Sequence, residues 1–131
     1  MANRDFKDVQ ALQREVKCIT GSFTFHATSG VATLSSDSIG VASVSEATDG
    51  LVTITLTDKY SKFLGAQFTY LDDTHAAAKV PVVCLDAETV ATTKTVVIQF
   101  SNCDDGGKSA DADLGGDTVY FMIWVKNSSV T

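Results

Sequence analysis

The chain has 131 residues and a mass of 13.9 kDa, enough to bury one core without help from disulfides or metal. Its 44% hydrophobic and 20% charged residues argue against wholesale disorder. A net charge of −6 with only 10 Lys+Arg leaves no basic face to neutralise phosphates, so no nucleic acid partner is expected.

Residues 1–14, MANRDFKDVQALQR, are polar and lack glycine, and they carry Phe6, Val9 and Leu12 at a spacing of three that would gather them on one helical face. So short a helix is not stable alone. The segment reads as an N-terminal arm, either frayed or docked on a neighbour. It has no apolar core of the signal-peptide kind, so no secretory signal is expected.

From Val16 onward the apolar period is two. Ile19, Phe23 and Phe25 share one face of a strand, with Gly21 as a candidate bulge. Gly30 to Ser38 reads as loop or weak strand, and Ile39 to Ser45 as a strand leading into Asp49-Gly50, a hairpin signal. Leu51 to Thr57 alternates cleanly, with Val52, Ile54 and Leu56 on one side and threonines on the other. In DKYSKFLG, Asp58 can cap a short helical turn over 58–64 and Gly65 can end it, with Tyr60, Phe63 and Leu64 tucked under a sheet.

Ala66 to Leu71 is a further strand. Val80 to Leu85 is apolar on both faces, which predicts double burial or a covering partner, while Pro81 asks for an edge or bulge. Val96, Ile98 and Phe100 alternate inward over Lys94 to Phe100, and Ser101 to Gly116 is a Gly/Asp/Ser-rich loop. The last strand, Thr118 to Lys126, is apolar on both faces: Val119, Phe121, Ile123 and Val125 against Tyr120, Met122 and Trp124. Its run from Val119 to Val125 is the longest apolar one, far below the roughly 20 residues that cross a bilayer as a helix, and no membrane partner is expected. Seven or so short strands with turn signals between them predict an all-β chain, a β-sandwich or closed barrel in one domain over 15–131.

Chemistry is sparse. His26 and His75 belong to no HxH or HExxH cluster, and there is no G-x-S-x-G elbow. Glu46 with Asp49, or Asp72 with Asp73, could pair as in a glycosidase, but carboxylates at such places are ordinarily turn formers. Asp104, Asp105, Asp111 and Asp113 form the densest acidic cluster. Asp111 and Asp113 open an EF-hand-like pattern with Gly116 at its glycine, yet Gly115 replaces a ligand and Met122 the closing Glu, so a solvated loop is the plainer reading. Cys18, Cys84 and Cys103 show no zinc spacing; Cys18 and Cys84 read as small buried hydrophobes in a protein made in a reducing cytoplasm. The expectation is no catalytic residue, no bound metal, no cofactor and no enzyme activity. Strands apolar on both faces, 80–85 and 118–125, supply more apolar surface than one core requires, and together with the arm they predict an interface drawn from Phe6, Val9, Leu12, Tyr120, Met122 and Trp124.

The stretch GVASVSEATDGLVTITLTDKYSKFLGAQFTYLDD (40–73), followed by VVCLDAETVATTKTVVIQF (82–100) and the GDTVYF start of the last strand, resembles small tailed-bacteriophage virion proteins. The resemblance spans most of 15–131 and implies an antiparallel, jelly-roll-like β-sandwich and, as its role, a capsid decoration (cement) protein. Such a protein binds the outer capsid surface, stabilises contacts between major capsid subunits, and self-associates as a homodimer or homotrimer. Its partners would be the major capsid protein and itself, and its location the virion, after synthesis in the bacterial host cytoplasm. The alternatives are a tail, baseplate or head-fibre component, or a carbohydrate- or receptor-binding module with Ca²⁺ held in the acidic loop.

Overall fold

A computed structural model describes residues 16–26, 32–48, 50–72, 81–102 and 114–127. They form eight strands: β1 (Val16–Phe25), β2 (Ala32–Leu34), β3 (Val41–Thr48), β4 (Leu51–Leu56), β5 (Lys62–Leu71), β6 (Pro81–Thr89), β7 (Thr95–Asn102) and β8 (Thr118–Lys126). Two four-stranded antiparallel sheets result, in the orders β2-β1-β8-β5 and β3-β4-β7-β6. They pack face to face as an all-β sandwich. Of a jelly roll's nested pairings the chain has the outermost, β1 with β8, while the hairpins β1–β2, β3–β4 and β6–β7 are local. The arm with Phe6, Val9 and Leu12 lies outside the described residues.

Alternation decides the core. Val52, Ile54 and Leu56 on β4, Val96, Ile98 and Phe100 on β7, and Val119, Phe121, Ile123 and Val125 on β8 are all buried, as their period of two requires. Across the gap Phe100 meets Phe25 edge-to-face at 5.1 Å between ring centres and Phe23 at 6.4 Å, and Phe23 also contacts Phe121 at 6.1 Å. Aromatic rings prefer this geometry, which adds about 0.5–1.5 kcal/mol per pair beyond burial. The rings thus join the two sheets at one end of the core.

Gly50 sits at φ 70° between Thr48 and Leu51, which pair across the β3–β4 hairpin, so the Asp-Gly signal lands on a real turn. Buried Glu46 fastens it, its Oε1 accepting the Gly50 N–H at 2.9 Å.

Three expectations are corrected. Residues 58–64 form no helical turn; β5 already begins at Lys62. The Tyr60 N–H donates to Val90 O and the Ser61 N–H to Lys126 O, so the donors a helix would need go to other elements. Tyr60 does plug the core end, where its hydroxyl accepts from Lys17 Nζ at 3.0 Å, whereas Leu64 is exposed. Next, of the two readings of Val80 to Leu85, double burial within the chain is the one the fold contradicts: β6 is not buried on two faces. It pairs only with β7, and beyond Pro81 it is mostly exposed, Val82 and Leu85 included; the edge that Pro81 asked for is the one found. Finally, Gly21 makes no bulge, since β1 pairs with β8 in unbroken register from Val16 to Thr24.

Gly21 answers a shortage of space instead. A Cβ there would lie 2.5 Å from Ser38 Oγ and 2.7 Å from Phe121 Cζ. Ser38 cannot withdraw freely, because its hydroxyl accepts the Ser22 N–H at 3.2 Å. Gly21→Ala is therefore expected to destabilise the fold by about 1–3 kcal/mol through overpacking, read as a lowered midpoint in urea unfolding.

A buried polar pair closes the same end of the sandwich. The Tyr70 hydroxyl donates to Asp117 Oδ2, and Asp117 is 2% exposed. The Asp117 backbone is also tied to β1, its carbonyl accepting the Phe25 N–H at 2.9 Å. Removing a donor from a buried carboxylate costs its desolvation, so Tyr70→Phe should lower stability by about 1–3 kcal/mol in the same assay.

Candidate functional site

Since odd-numbered β8 residues enter the core, its even-numbered ones must face outward. Tyr120, Met122 and Trp124 are 50%, 38% and 39% exposed on the second-from-edge strand of their sheet. The register explains why they stand clear of their neighbours. Ser22 and Thr69 flank Tyr120, Thr20 and Gln67 flank Met122, and Cys18 and Gly65 flank Trp124. Most of these flanking residues are small, and none of the nine carries a charge. A shallow depression of ≈ 200 Å³ lies between β5 and β8, lined by Gln67, Thr69, Tyr120, Phe121 and Met122.

The ends of this face differ. The Val16–Lys126–Lys62 row places two lysines at one end. The Thr24–Thr118–Leu71 row closes the other, with Leu71 exposed and Asp72 following it. Lateral extension is provided by Leu64, exposed at the register shift between Phe63 and Gly65.

The opposite sheet presents a different outer surface. Registers put Ser43, Ser45, Thr53, Thr55, Thr95, Gln99 and Ser101 outward there, with half-buried Leu51 and Val97 and exposed Val82 among them, a largely hydroxyl-bearing face of the kind antiparallel sheets turn to water. Among the described residues, only the β8 side carries aromatic rings outward.

Sequence reasoning named Tyr120, Met122 and Trp124, and the fold brings them into one line. What it missed is the uncharged frame supplied by β1 and β5, because strand order is not written in local pattern. Phe6, Val9 and Leu12, the acidic cluster Asp104, Asp105, Asp111 and Asp113, and also Cys103, His75, Asp49 and Asp73 lie outside the described residues. Among the described residues no three His, Cys, Asp or Glu side chains gather as a metal site. Glu46 serves its turn, and Asp117 takes the Tyr70 phenol, so the two buried carboxylates of the described core both have structural work.

The cysteines are less buried than expected. Cys84 is exposed on the edge strand β6, and Cys18 is half-buried beside Trp124, where desolvation pushes its thiol up from the ordinary value. A raised pKa leaves less thiolate at a given pH. In a Cys103→Ser background, iodoacetamide should label Cys84 first, and Cys18 should need a more alkaline pH; mass spectrometry of a time course checks the order.

Compared with protein-family models, curated proteins and solved structures, the chain matches none.

Proposed function

We propose that the chain is a structural virion protein, a decoration subunit that works by surface contact rather than by chemistry. The observation that carries this reading is the outer face of β1, β8 and β5, uncharged along its middle, where Tyr120, Met122 and Trp124 stand in line. Isolated apolar residues on a surface mean little, but a contiguous, rigidly framed aromatic row is characteristic of association sites. The resemblance of residues 40–73 and 82–100 to tailed-phage virion proteins supports the setting, the outer surface of a capsid. There the subunit would bind the major capsid protein, associate with itself and stabilise contacts between capsid subunits.

A mixing experiment tests it. Purified chain added to phage capsids lacking it should co-sediment at a saturating ratio and raise the temperature at which the shells release DNA. Shells that bind none, or that open at the same temperature with and without it, would overturn the cementing role. Bound density on the tail rather than the shell in electron micrographs would move the protein to a tail or baseplate function.

A further inference from the structure

We infer that the β8 face takes a second copy of this chain, forming a two-fold dimer in which the β8 strands stack antiparallel with Met122 at the axis. The inference deepens the proposed function by naming its self-association face, but its argument and its test need no capsid.

Edge pairing is blunted around the molecule. The four edge strands are β2, β5, β3 and β6. β2 has only three residues, and β3 is broken by register shifts at Val41/Ser43 and Glu46/Thr48. β5 is shifted at Phe63/Gly65, while β6 starts at Pro81 and shifts at Leu85/Ala87. Short, bulged and proline-bearing edges are the means by which sheets refuse new strands. Association is thereby directed to a face, and of the two outer faces only one is aromatic.

That face is large enough. Nine paired positions along three strands make a surface of roughly 30 by 15 Å, about 450 Å² in flat outline, which the relief of the exposed Tyr120, Met122 and Trp124 and the flanking Leu64 extends toward the ~800 Å² per partner of a standard interface.

It is also self-complementary in one orientation. Face-to-face packing requires the two-fold axis to lie in the interface plane. An axis along the strands would set Tyr120 on the partner's Tyr120 and bring the Lys62/Lys126 ends together, a like-charge contact that costs affinity. An axis across the strands at Met122 sets Trp124 on the partner's Tyr120 and Met122 on the partner's Met122. It also carries each Lys62/Lys126 end over the partner's uncharged Leu71 and Thr118, so the like-charge contact is avoided. The row Tyr120–Met122–Trp124 reads aromatic–thioether–aromatic in both directions, so the antiparallel stack pairs ring with ring and sulfur with sulfur.

Sedimentation velocity of the full chain from 1 to 200 µM should show a monomer–dimer equilibrium. Met122→Lys, which sets two ammonium groups at the axis, should leave a monomer whose circular dichroism and melting remain those of a folded sandwich. Tyr120→Lys and Trp124→Glu should each weaken the dimer tenfold or more. The double variant should recover at least half of that loss on a logarithmic scale, because the ammonium group introduced at position 120 then meets the carboxylate introduced at position 124 of the other copy. A chain that stays monomeric at 200 µM, a trimer, or a dimer indifferent to Met122→Lys overturns the inference. A double variant no better than the singles overturns the antiparallel register. Capsid binding is read separately: monomeric Met122→Lys that still decorates shells leaves the proposed function standing, whereas a dimer of the stated register that never binds shells removes only that function.

Discussion

Strand β8 is the constraint on which the remainder of the molecule turns. It is hydrogen-bonded to β1 on one side and β5 on the other, with nine paired positions on each. A strand held on both edges cannot slide without breaking two ladders, and a slip of one residue would exchange its two faces. Its odd residues would then leave the core and its even residues enter it. The pairing of Phe121 with Gly21 fixes the phase, because only a residue without a side chain leaves room for that ring beside Ser38. Through Phe121 the constraint passes to Phe23, and from Phe23 to Phe100 on the facing sheet. Core composition, sheet-to-sheet contact and the identity of the outward row are thus consequences of one register.

The parts of the fold legible in the sequence are those whose physics is local. Period-two alternation located β4, β7 and β8 to within a residue or two, since a half-buried strand must alternate wherever it sits. The Asp-Gly hairpin was legible for the same reason, because Gly50 needs its positive φ irrespective of tertiary context. Where long-range contacts decide, local signals misled. Asp58 and Gly65 resemble the two ends of a helix, but the backbone between them is claimed by Val90 and Lys126, more than 25 residues away in sequence. An apolar run such as 80–85 cannot say how many neighbours its strand has, and β6 proved to have one. The Tyr70–Asp117 pair spans 47 positions and leaves no mark in local composition.

The outward row was half legible in the same sense. That Tyr120, Met122 and Trp124 share a face follows from parity alone. That the middle of the face is uncharged follows from which strands flank β8, and nothing within Thr118–Lys126 reveals that they are β1 and β5. The frame matters physically as much as the row. Long charged side chains beside Trp124 could have covered the ring with their methylenes and hydrated it from above. Cys18 and Gly65 are too short to do so.

The two outer faces carry the physical argument to its end. Both belong to antiparallel sheets of four strands over one core, so stability asks the same of each: threonine, serine and glutamine outward would serve either equally well. The β4–β7 face follows that rule except at half-buried Leu51 and Val97. Replacing the rule on β8 by tyrosine, methionine and tryptophan adds nothing to this core, because those side chains point away from it, and it adds a cost in solubility that the net charge of −6 offsets by repulsion between copies. With the four edges blunted, that exposed row is the one apolar surface left open on a described strand with neighbours on both sides. Folding of the isolated domain does not require such a row; association does, and the lysines gathered at one end give that association a direction.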